Sequence, residues 1–315
     1  MFSGAGGSSW GARAAGATIV AAFDLWTVAG EVYRDNFPEA RHFSSRLEDL
    51  DDVDLLKSEI GKVDLILASP ECTNHSPAKG SQPRCEKSRE TAFQVVRFAS
   101  IFSPRWIVIE NVVGMKRWHR YNEFITSLKD LGYQLRELKL TASHFGAGTS
   151  RRRLFILCDK EAMPPKVVPA ARRRHLLAED IVDLNGTYRW SPLQTPRRAA
   201  ATLERAKRGI NEVGGNRPFL LVYYGSDHAG GWQTLNRPLR TITTVDRFAI
   251  VKPTASGHVM RMLQVPELKA AMGMPTGFKF ERGTRRDRIK MIGNAVCPPV
   301  IKAAVRALAL AARNP

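Results

Sequence analysis

Four groups of residues in this 315-residue chain are of types, and at spacings, that do chemistry. The first is Pro70-Glu71-Cys72-Thr73-Asn74-His75-Ser76, directly after the apolar run Val63–Ala68. A cysteine on a loop at a strand's carboxyl end is where an attacking thiolate belongs; the competing reading is a half-buried structural cysteine. His75 raises a Cys–His pair, although residues so close in sequence rarely face each other. The second is Ile109-Glu110-Asn111-Val112, again ending an apolar run. A carboxylate entering a strand-end crevice is poised for acid–base work, its pKa raised by partial burial, unless it caps a helix or pairs with an arginine. The third is Thr149-Ser150-Arg151-Arg152-Arg153, where alternate residues of a strand share a face. Arg151 and Arg153 would then point the same way, toward phosphate or a developing negative charge. The fourth is the opening Phe2-Ser3-Gly4-Ala5-Gly6-Gly7, with Asp24 ending the next apolar run. Glycines let a backbone come close to a nucleotide-like cofactor, and a carboxylate there can accept ribose hydroxyls. There is no GxxxxGK[ST], which argues against an NTP-hydrolysing loop, and Cys72, Cys85, Cys158 and Cys297 share no CxxC spacing, so no metal site is expected.

These residues need strands that end where they stand. Thr18–Phe23, Val63–Ala68, Trp106–Ile109 and Arg153–Leu157 read as strands, and Gln134–Leu140 alternates like an edge strand. Leu25–Asn36, Glu90–Phe102 and Asn122–Leu131 have the spacing of amphipathic helices. The alternation is that of βαβ units feeding a mostly parallel sheet, an α/β class in which functional loops sit at the carboxyl ends of strands. After Asp159 the pattern changes. Residues 160–217 are rich in Pro, Arg and Ala; then come the apolar run Phe219–Tyr224, a glycine-rich loop and the strand-like Pro238–Val251. Three parts are therefore expected: a catalytic and cofactor-binding part over 1–159, a small irregular domain over 160–250, and a return to the first part over 251–315. In the last, Pro298-Pro299 opens an Ala/Leu/Val-rich helix, Val300–Arg313.

Composition bounds the partners. A 43% hydrophobic and 25% charged chain is globular, and four cysteines fit a reduced, intracellular, cytoplasmic setting rather than a disulfide framework. No apolar run is long enough for a membrane span, so no membrane is expected. The formal charge of +18 points to a polyanion, most simply nucleic acid, and it is unevenly spread. Residues 1–80 carry 7 basic and 12 acidic side chains, residues 151–217 carry 15 and 7, and residues 252–315 carry 12 and 3. Small-molecule chemistry early in the chain and polyanion contact late is the division this suggests.

Taken in order, FxGxGG, an acidic strand end, Pro-x-Cys, Glu-Asn-Val, Arg-x-Arg and Gly293-Asn294-Ala295-Val296 resemble the cytosine-C5 DNA methyltransferase family over nearly the whole chain. The resemblance implies a Rossmann-like S-adenosylmethionine-dependent methyltransferase fold with a small target-recognition domain. It implies that Phe2 stacks on the adenine of S-adenosylmethionine, that Ser3, Gly4, Ala5, Gly6 and Gly7 approach its methionine part, and that Asp24 takes the ribose. Leu25, Leu47, Asn294, Ala295 and Val296 complete that pocket, with S-adenosylhomocysteine as product. Cys72 matches the nucleophile that adds to cytosine C6, Glu110 the residue that contacts N3, and Arg151 and Arg153 the arginines beside the target base, which must leave the duplex stack. Arg237–Thr244 and Arg261–Leu263 resemble the motifs that follow the recognition domain. For double-stranded DNA the candidates are Ser76, Tyr223, Tyr224, His228, Trp232, Gln233, Arg240 and Thr241, with Tyr223 and Tyr224 equally readable as local core. A monomer is the expected assembly, and a restriction-modification role the expected setting. The sequence departs from the family pattern at Glu71, where a proline precedes the cysteine, at Thr73 and Thr149, where glutamines stand, and at His75, where a phenylalanine is common; no Asp-Leu precedes Phe2. Three other readings stay open: a tRNA cytosine-C5 methyltransferase, a catalytically silent DNA-binding member, and a hydrolase using Cys72 with His75.

Overall fold

Each apolar run that precedes a chemical residue becomes a strand. The computed structural model describes residues 1–76, 82–170, 174–186, 188–224 and 230–313. In its first half, strand β1 (Ala21–Phe23) pairs in parallel with β2 (Arg41–Phe43), and β3 (Leu65–Ala68) pairs in parallel with β4 (Trp106–Asn111). β5 (Gln134–Thr141) and β6 (Arg152–Asp159) complete a sheet ordered β3-β4-β6-β5, with β6 antiparallel to both neighbours. Only ten residues separate β5 from β6, too few for a parallel crossover, so the pair runs antiparallel.

The central strands are buried on both faces, as a sheet sandwiched between helices must be. Alternation decides which side chain goes where. Val108, Phe155 and Leu157 join one core with helices α1 (Gly7–Arg13) and α10 (Pro298–Arg313); Ile107, Ile109, Leu154 and Ile156 join the other with α5 (Phe93–Phe102) and α6 (Tyr121–Asp130). α1 and α10 approach at backbone distance: a Cβ on Gly11 would stand 2.4 Å from the Pro298 carbonyl, and one on Gly7 2.5 Å from that of Val296. The two ends of the chain are thereby held together.

The expected helix Glu90–Phe102 is two helices, α4 (Glu86–Glu90) and α5, and the expected irregular domain is a regular one. A five-stranded sheet, ordered β7-β11-β10-β8-β9, is built from β7 (Ser191–Pro192), β8 (Phe219–Val222), β9 (Trp232–Thr234), β10 (Phe248–Thr254) and β11 (Gly257–Met262), every pairing antiparallel. α7 (Ala200–Val213) lies on one face, where a Cβ on Gly209 would stand 2.3 Å from the Phe219 ring. The Ala, Leu, Glu, Lys and Arg of α7 are strong helix formers whose pattern the flanking basic runs obscured. On the other face Leu220, Val222, Phe248 and Ile250 enter the same core as Phe155 and Leu157. The boundary expected at residue 250 therefore falls inside β10, and the sheet continues to Met262.

By length and composition the stretch Arg285–Arg313 could cross a membrane, which the sequence reading did not anticipate. It is folded as two helices, α9 (Arg285–Asn294) and α10, broken at 295–297, and α10 buries Val300, Ile301, Ala304, Val305 and Leu308 in the core.

A buried ion pair fixes the return of the chain from the antiparallel sheet. Arg261 donates to both oxygens of Glu267 at 2.8 and 2.7 Å, both side chains are almost fully enclosed, and Glu267 also accepts from the backbone N–H groups of Asp183 and Gln264. Removing one partner strands the other's charge. Arg261→Ala should lower unfolding stability by about 3–5 kcal/mol, read from urea midpoints at unchanged slope, while Arg261→Met with Glu267→Leu should recover most of that loss.

Candidate active site

Parallel pairing of β3 with β4 sets Ala68 beside Ile109, so the loop after one strand and the carboxylate ending the other emerge together. Asn111 fastens them, donating through Nδ2 to the Pro70 carbonyl at 3.1 Å. Cys72 then stands half-buried at the start of a single 3-10 turn, Thr73–His75. Its thiol is pushed above its ordinary pKa, first by burial and then by the charge of Glu110; Arg151 and Arg153 pull the other way, and Glu71 is the weakest influence. The Glu71 carboxylate is turned outward and accepts from the Ser88 hydroxyl on α4, so it does not face the thiol as a bare charge. His75 is no partner for Cys72. It is buried edge-on against Trp118 with centroids 5.4 Å apart, neither ring nitrogen has a hydrogen-bond partner, and desolvation drives its pKa down to about 4. A neutral aromatic wedge fits where the resemblance leads one to expect phenylalanine.

Glu110 is 5% exposed and its pKa is raised by that burial against the opposing pull of Arg153 and then Arg151. Arg153 Nε stands 3.3 Å from Oε1, near enough for charge but misaligned for a hydrogen bond, so that oxygen has no hydrogen-bond partner. Burial brings Arg153 down to about 10, which leaves it cationic at neutral pH. The two arginines do not share one task. Arg151 lies just before β6 and is spent on backbone, donating through Nη1 to the carbonyls of Ile242 at 3.1 Å and Gly293 at 3.0 Å. It ties the segment between β9 and β10 to the end of α9. Cys297, pushed up to about 11 by full burial, lies on the same side as a thiol packed 3.8 Å from the Met272 sulfur.

The glycine-rich opening forms a tight turn, with Phe2, Gly4 and Gly6 at positive φ. Asp24 fixes it: Oδ2 accepts from the Gly4 N–H at 2.7 Å and Oδ1 from the Trp26 N–H at 2.9 Å. Ala5, Gly6 and Gly7 are buried, whereas a Cβ on Gly4 would meet nothing within 4 Å. That open backbone face, the half-buried Phe2 and Ser3, and Leu25, 54% exposed, are a rim that fits an adenosine-bearing cofactor. Each Asp24 oxygen retains lone-pair capacity for a ribose hydroxyl. Packing of Gly7 on the Val296 carbonyl brings Asn294, Ala295 and Val296 to this turn from the far end of the chain. Leu47 is different. Its side chain is buried in the core with Phe23 and Phe98, and its carbonyl accepts from Arg97, so only its neighbours on the exposed turn could reach a ligand.

The recognition candidates divide. Gln233 is buried, donating to the Pro238 carbonyl and accepting from the Arg240 N–H, so it is a structural clasp. Tyr224 is held by the Thr241 carbonyl and packs on Phe248, and Tyr223 lies in the core under α7 with Arg205 5.5 Å above its ring. The core reading of both tyrosines is the one that fits. Trp232, Arg240 and Thr241 are half-buried, and Arg240 donates to the Trp232 carbonyl. Ser76 accepts from Arg84 through its carbonyl. His228 lies outside the described residues.

Sequence reasoning missed the brace under the cysteine loop. The Asn74 carbonyl accepts from Arg84 and Arg89, its Nδ2 donates to Ser88, and its Oδ1 accepts from the Cys85 N–H at 2.9 Å. Two residues from Cys72, Asn74 carried a positional signal; Ser88 and Arg89, on a short polar helix, carried none.

The profile of the family described as C-5 cytosine-specific DNA methylase matches residues 1–309. The Type II methyltransferase M.HindV of Haemophilus influenzae is 28% identical over 307 residues, 94% of this chain and 90% of its own length. A mouse tRNA (cytosine(38)-C(5))-methyltransferase is 29% identical over 202 residues, 57% of this chain and 47% of its own. A crystal structure of a putative DNA modification methyltransferase encoded within an Escherichia coli prophage superposes with a TM-score of 0.70 at 19% identity, covering 99% of this chain and 98% of that one, a likeness of fold. A family match over nearly the full length, on a chain whose strand ends carry Cys72 and Glu110, makes this protein a member of the C-5 cytosine-specific DNA methylase family, enzymes that take their methyl group from S-adenosylmethionine.

Proposed function

We propose that this enzyme methylates C5 of a flipped-out cytosine within a short specific sequence of double-stranded DNA, through a covalent bond from Cys72. The observation that carries the reading is the meeting of two strand ends: a half-buried thiol and a buried carboxyl, both with pKa values raised first by burial and the thiol's raised further by the carboxyl, with a cationic arginine against the carboxyl. Cytosine C5 is a weak nucleophile. Addition of the Cys72 thiolate to C6 forms an S–C6 bond and makes C5 electron-rich, and Glu110 placed at N3 stabilises the charge that develops only after that attack. Because burial keeps Glu110 protonated to higher pH than an exposed carboxyl, it can donate to N3 rather than repel it. Arg153 restrains Glu110, and Arg151 holds in place the backbone that frames the site. S-adenosylmethionine, when bound, supplies an electrophilic methyl group; Phe2, Gly4, Asp24, Leu25 and Asn294–Val296 would hold it. Loss of the C5 proton to a base then expels Cys72 and restores the aromatic ring. Trp232, Arg240, Thr241 and Ser76 remain the candidates for DNA contact.

Full-length similarity to a Type II DNA enzyme, against partial similarity to the tRNA enzyme, supports duplex DNA, a restriction-modification setting and a place inside the cell. Incubation with methyl-labelled cofactor should put label into mixed-sequence duplex DNA and not into tRNA; bisulfite mapping then reads the site. Label in tRNA alone would reverse the assignment. Duplex carrying 5-fluorocytosine should form a covalent adduct that Cys72→Ser abolishes, and Glu110→Gln should lower kcat by about 10²–10³-fold with the cofactor still bound.

The raised thiol gives a pH dependence of definite sign. At neutral pH Cys72 is protonated, so its alkylation by iodoacetamide, followed by peptide mass spectrometry, should accelerate as pH rises from about 7 to about 9. Glu110→Gln removes the larger of two acidic influences and should shift that rise to lower pH; Glu71→Gln should shift it less. Equal shifts would contradict the orientation of Glu71 toward Ser88.

A further inference from the structure

Thr149, at a position where the family pattern has glutamine, lies in a seam between the catalytic half and the antiparallel sheet. Residues 148–151 lead into β6, and residues 239–242 lie between β9 and β10. The two stretches run parallel for a single rung: Leu239 N–H donates to the Gly148 carbonyl at 2.8 Å, and Ser150 N–H to the Leu239 carbonyl at 2.7 Å. Beyond that rung, side chains of the first stretch take carbonyls of the second. Thr149 Oγ1 donates to the Arg240 carbonyl at 3.1 Å, and Arg151 Nη1 to that of Ile242 at 3.1 Å. Thr149 is 0% exposed, so its hydroxyl is bonded to protein and not to solvent.

Arg240 is held from the other side as well. Its N–H donates to Gln233 Oε1 at 3.3 Å and its Nη2 to the Trp232 carbonyl at 3.0 Å, both on β9. Gln233 Nε2 also donates to the Pro238 carbonyl at 2.9 Å, and the Tyr224 hydroxyl donates to the Thr241 carbonyl. Arg240 is thus bonded by its amide and guanidinium to a strand of the antiparallel sheet, and by its carbonyl to the stretch that becomes β6. Four residues after Thr149 comes Arg153, whose Nε stands 3.3 Å from Glu110. Two of the half-buried candidates for DNA contact, Trp232 and Arg240, are therefore joined through the Thr149 hydroxyl to the strand whose arginine meets the catalytic carboxyl.

Resting on the duplex-DNA reading above, we propose that Thr149 is a positioning residue that makes methyl transfer depend on the target sequence. Contacts of Trp232 and Arg240 with the correct bases keep the Arg240 peptide where Thr149 meets it, and so keep the start of β6 in place beside Glu110. A wrong base shifts Arg240 and pulls on the same hydrogen bond. Threonine suits this task better than glutamine. Its hydroxyl stands on a short, branched side chain with a stiff χ1, so it cannot follow a moving carbonyl, and a shift of about 1 Å takes the pair beyond hydrogen-bond distance. A glutamine, with three rotatable bonds, would follow the carbonyl and absorb the shift. Discrimination between sites then appears in the chemical step and not only in binding.

The test uses T149V, which keeps the shape and removes the donor, and T149S, which keeps the donor. Each is assayed on a duplex carrying the site found by bisulfite mapping and on the same duplex with one base pair beside the target changed. T149V should lower kcat on the correct duplex by about 10–100-fold, with KM for S-adenosylmethionine and Kd for the duplex within about twofold of the unaltered chain. On the changed duplex kcat should stay within about twofold, so discrimination shrinks by the factor lost, and T149S should restore it. An equal loss on both duplexes, an unchanged kcat on the correct one, or T149S behaving like T149V overturns the proposal. Without DNA or cofactor, amide exchange at Arg240 should quicken about tenfold in T149V and not in T149S, with Ser150 and Leu239 unchanged. Unchanged exchange at Arg240, or protection lost at all three amides, overturns it too. Should T149V not fold, T149A against T149S gives the same comparison. If the unaltered chain puts no label into duplex DNA, the duplex reading falls and this proposal with it; if it labels duplex DNA and the variants depart from these outcomes, only this proposal falls.

Discussion

A carboxyl group in a nearly dry interior needs a counter-charge, and meeting that need organises the catalytic half of this molecule. Glu110 lies at the end of the central strand β4, whose residues 107–111 are buried, and is itself 5% exposed. Its compensation comes from the neighbouring strand: β6 pairs antiparallel with β4, and Arg153 reaches Glu110 across that pairing. The antiparallel placement of β6 within an otherwise parallel arrangement is what brings an arginine, two residues from the strand register partner Phe155, to the same end of the sheet. Misalignment keeps the pair from closing into a hydrogen bond and leaves Oε1 without a hydrogen-bond partner.

Positive charge is divided between folding and the partner. The net +18 suggested a polyanion, but several of its arginines are consumed internally. Arg151 and Arg247 bond to backbone carbonyls, Arg261 to Glu267, Arg285 to Asp246 and Arg282 to Asp35. Three arginines of the basic C-terminal segment, Arg261, Arg282 and Arg285, are therefore spent on holding the fold. What remains for phosphate is affinity without sequence choice.

The sequence made the catalytic half legible because its signals are local. Apolar runs set β3 and β4, the residues after them became strand-end residues, and Asp24 fell where a strand end must lie. The rest depended on pairings between distant segments that no window contains. Arg151 looked like the twin of Arg153 because both alternate on one strand, yet its partners are carbonyls roughly 90 and 140 residues away in sequence, at Ile242 and Gly293. Gln233 looked like a reader of bases, since a free amide is, until the fold closed it onto Pro238 and Arg240. The regular antiparallel sheet was hidden by short strands, three of them of four residues or fewer, in basic surroundings.

The departures from the family pattern fall into the same physical order. Glu71 beside a cysteine disfavours its thiolate, and its position in the turn alone would do so. The fold answers by rotating the carboxylate to Ser88, which also receives Asn74 and so belongs to the brace that shapes the turn. His75, a potential cation three residues from Cys72, is likewise neutralised, here by desolvation against Trp118. In both cases a residue of the wrong charge is retained by denying that charge access to Cys72, once by orientation and once by loss of water. The thiol's environment is then governed by Glu110 and the arginines, the groups positioned by the sheet itself, and not by its neighbours in sequence.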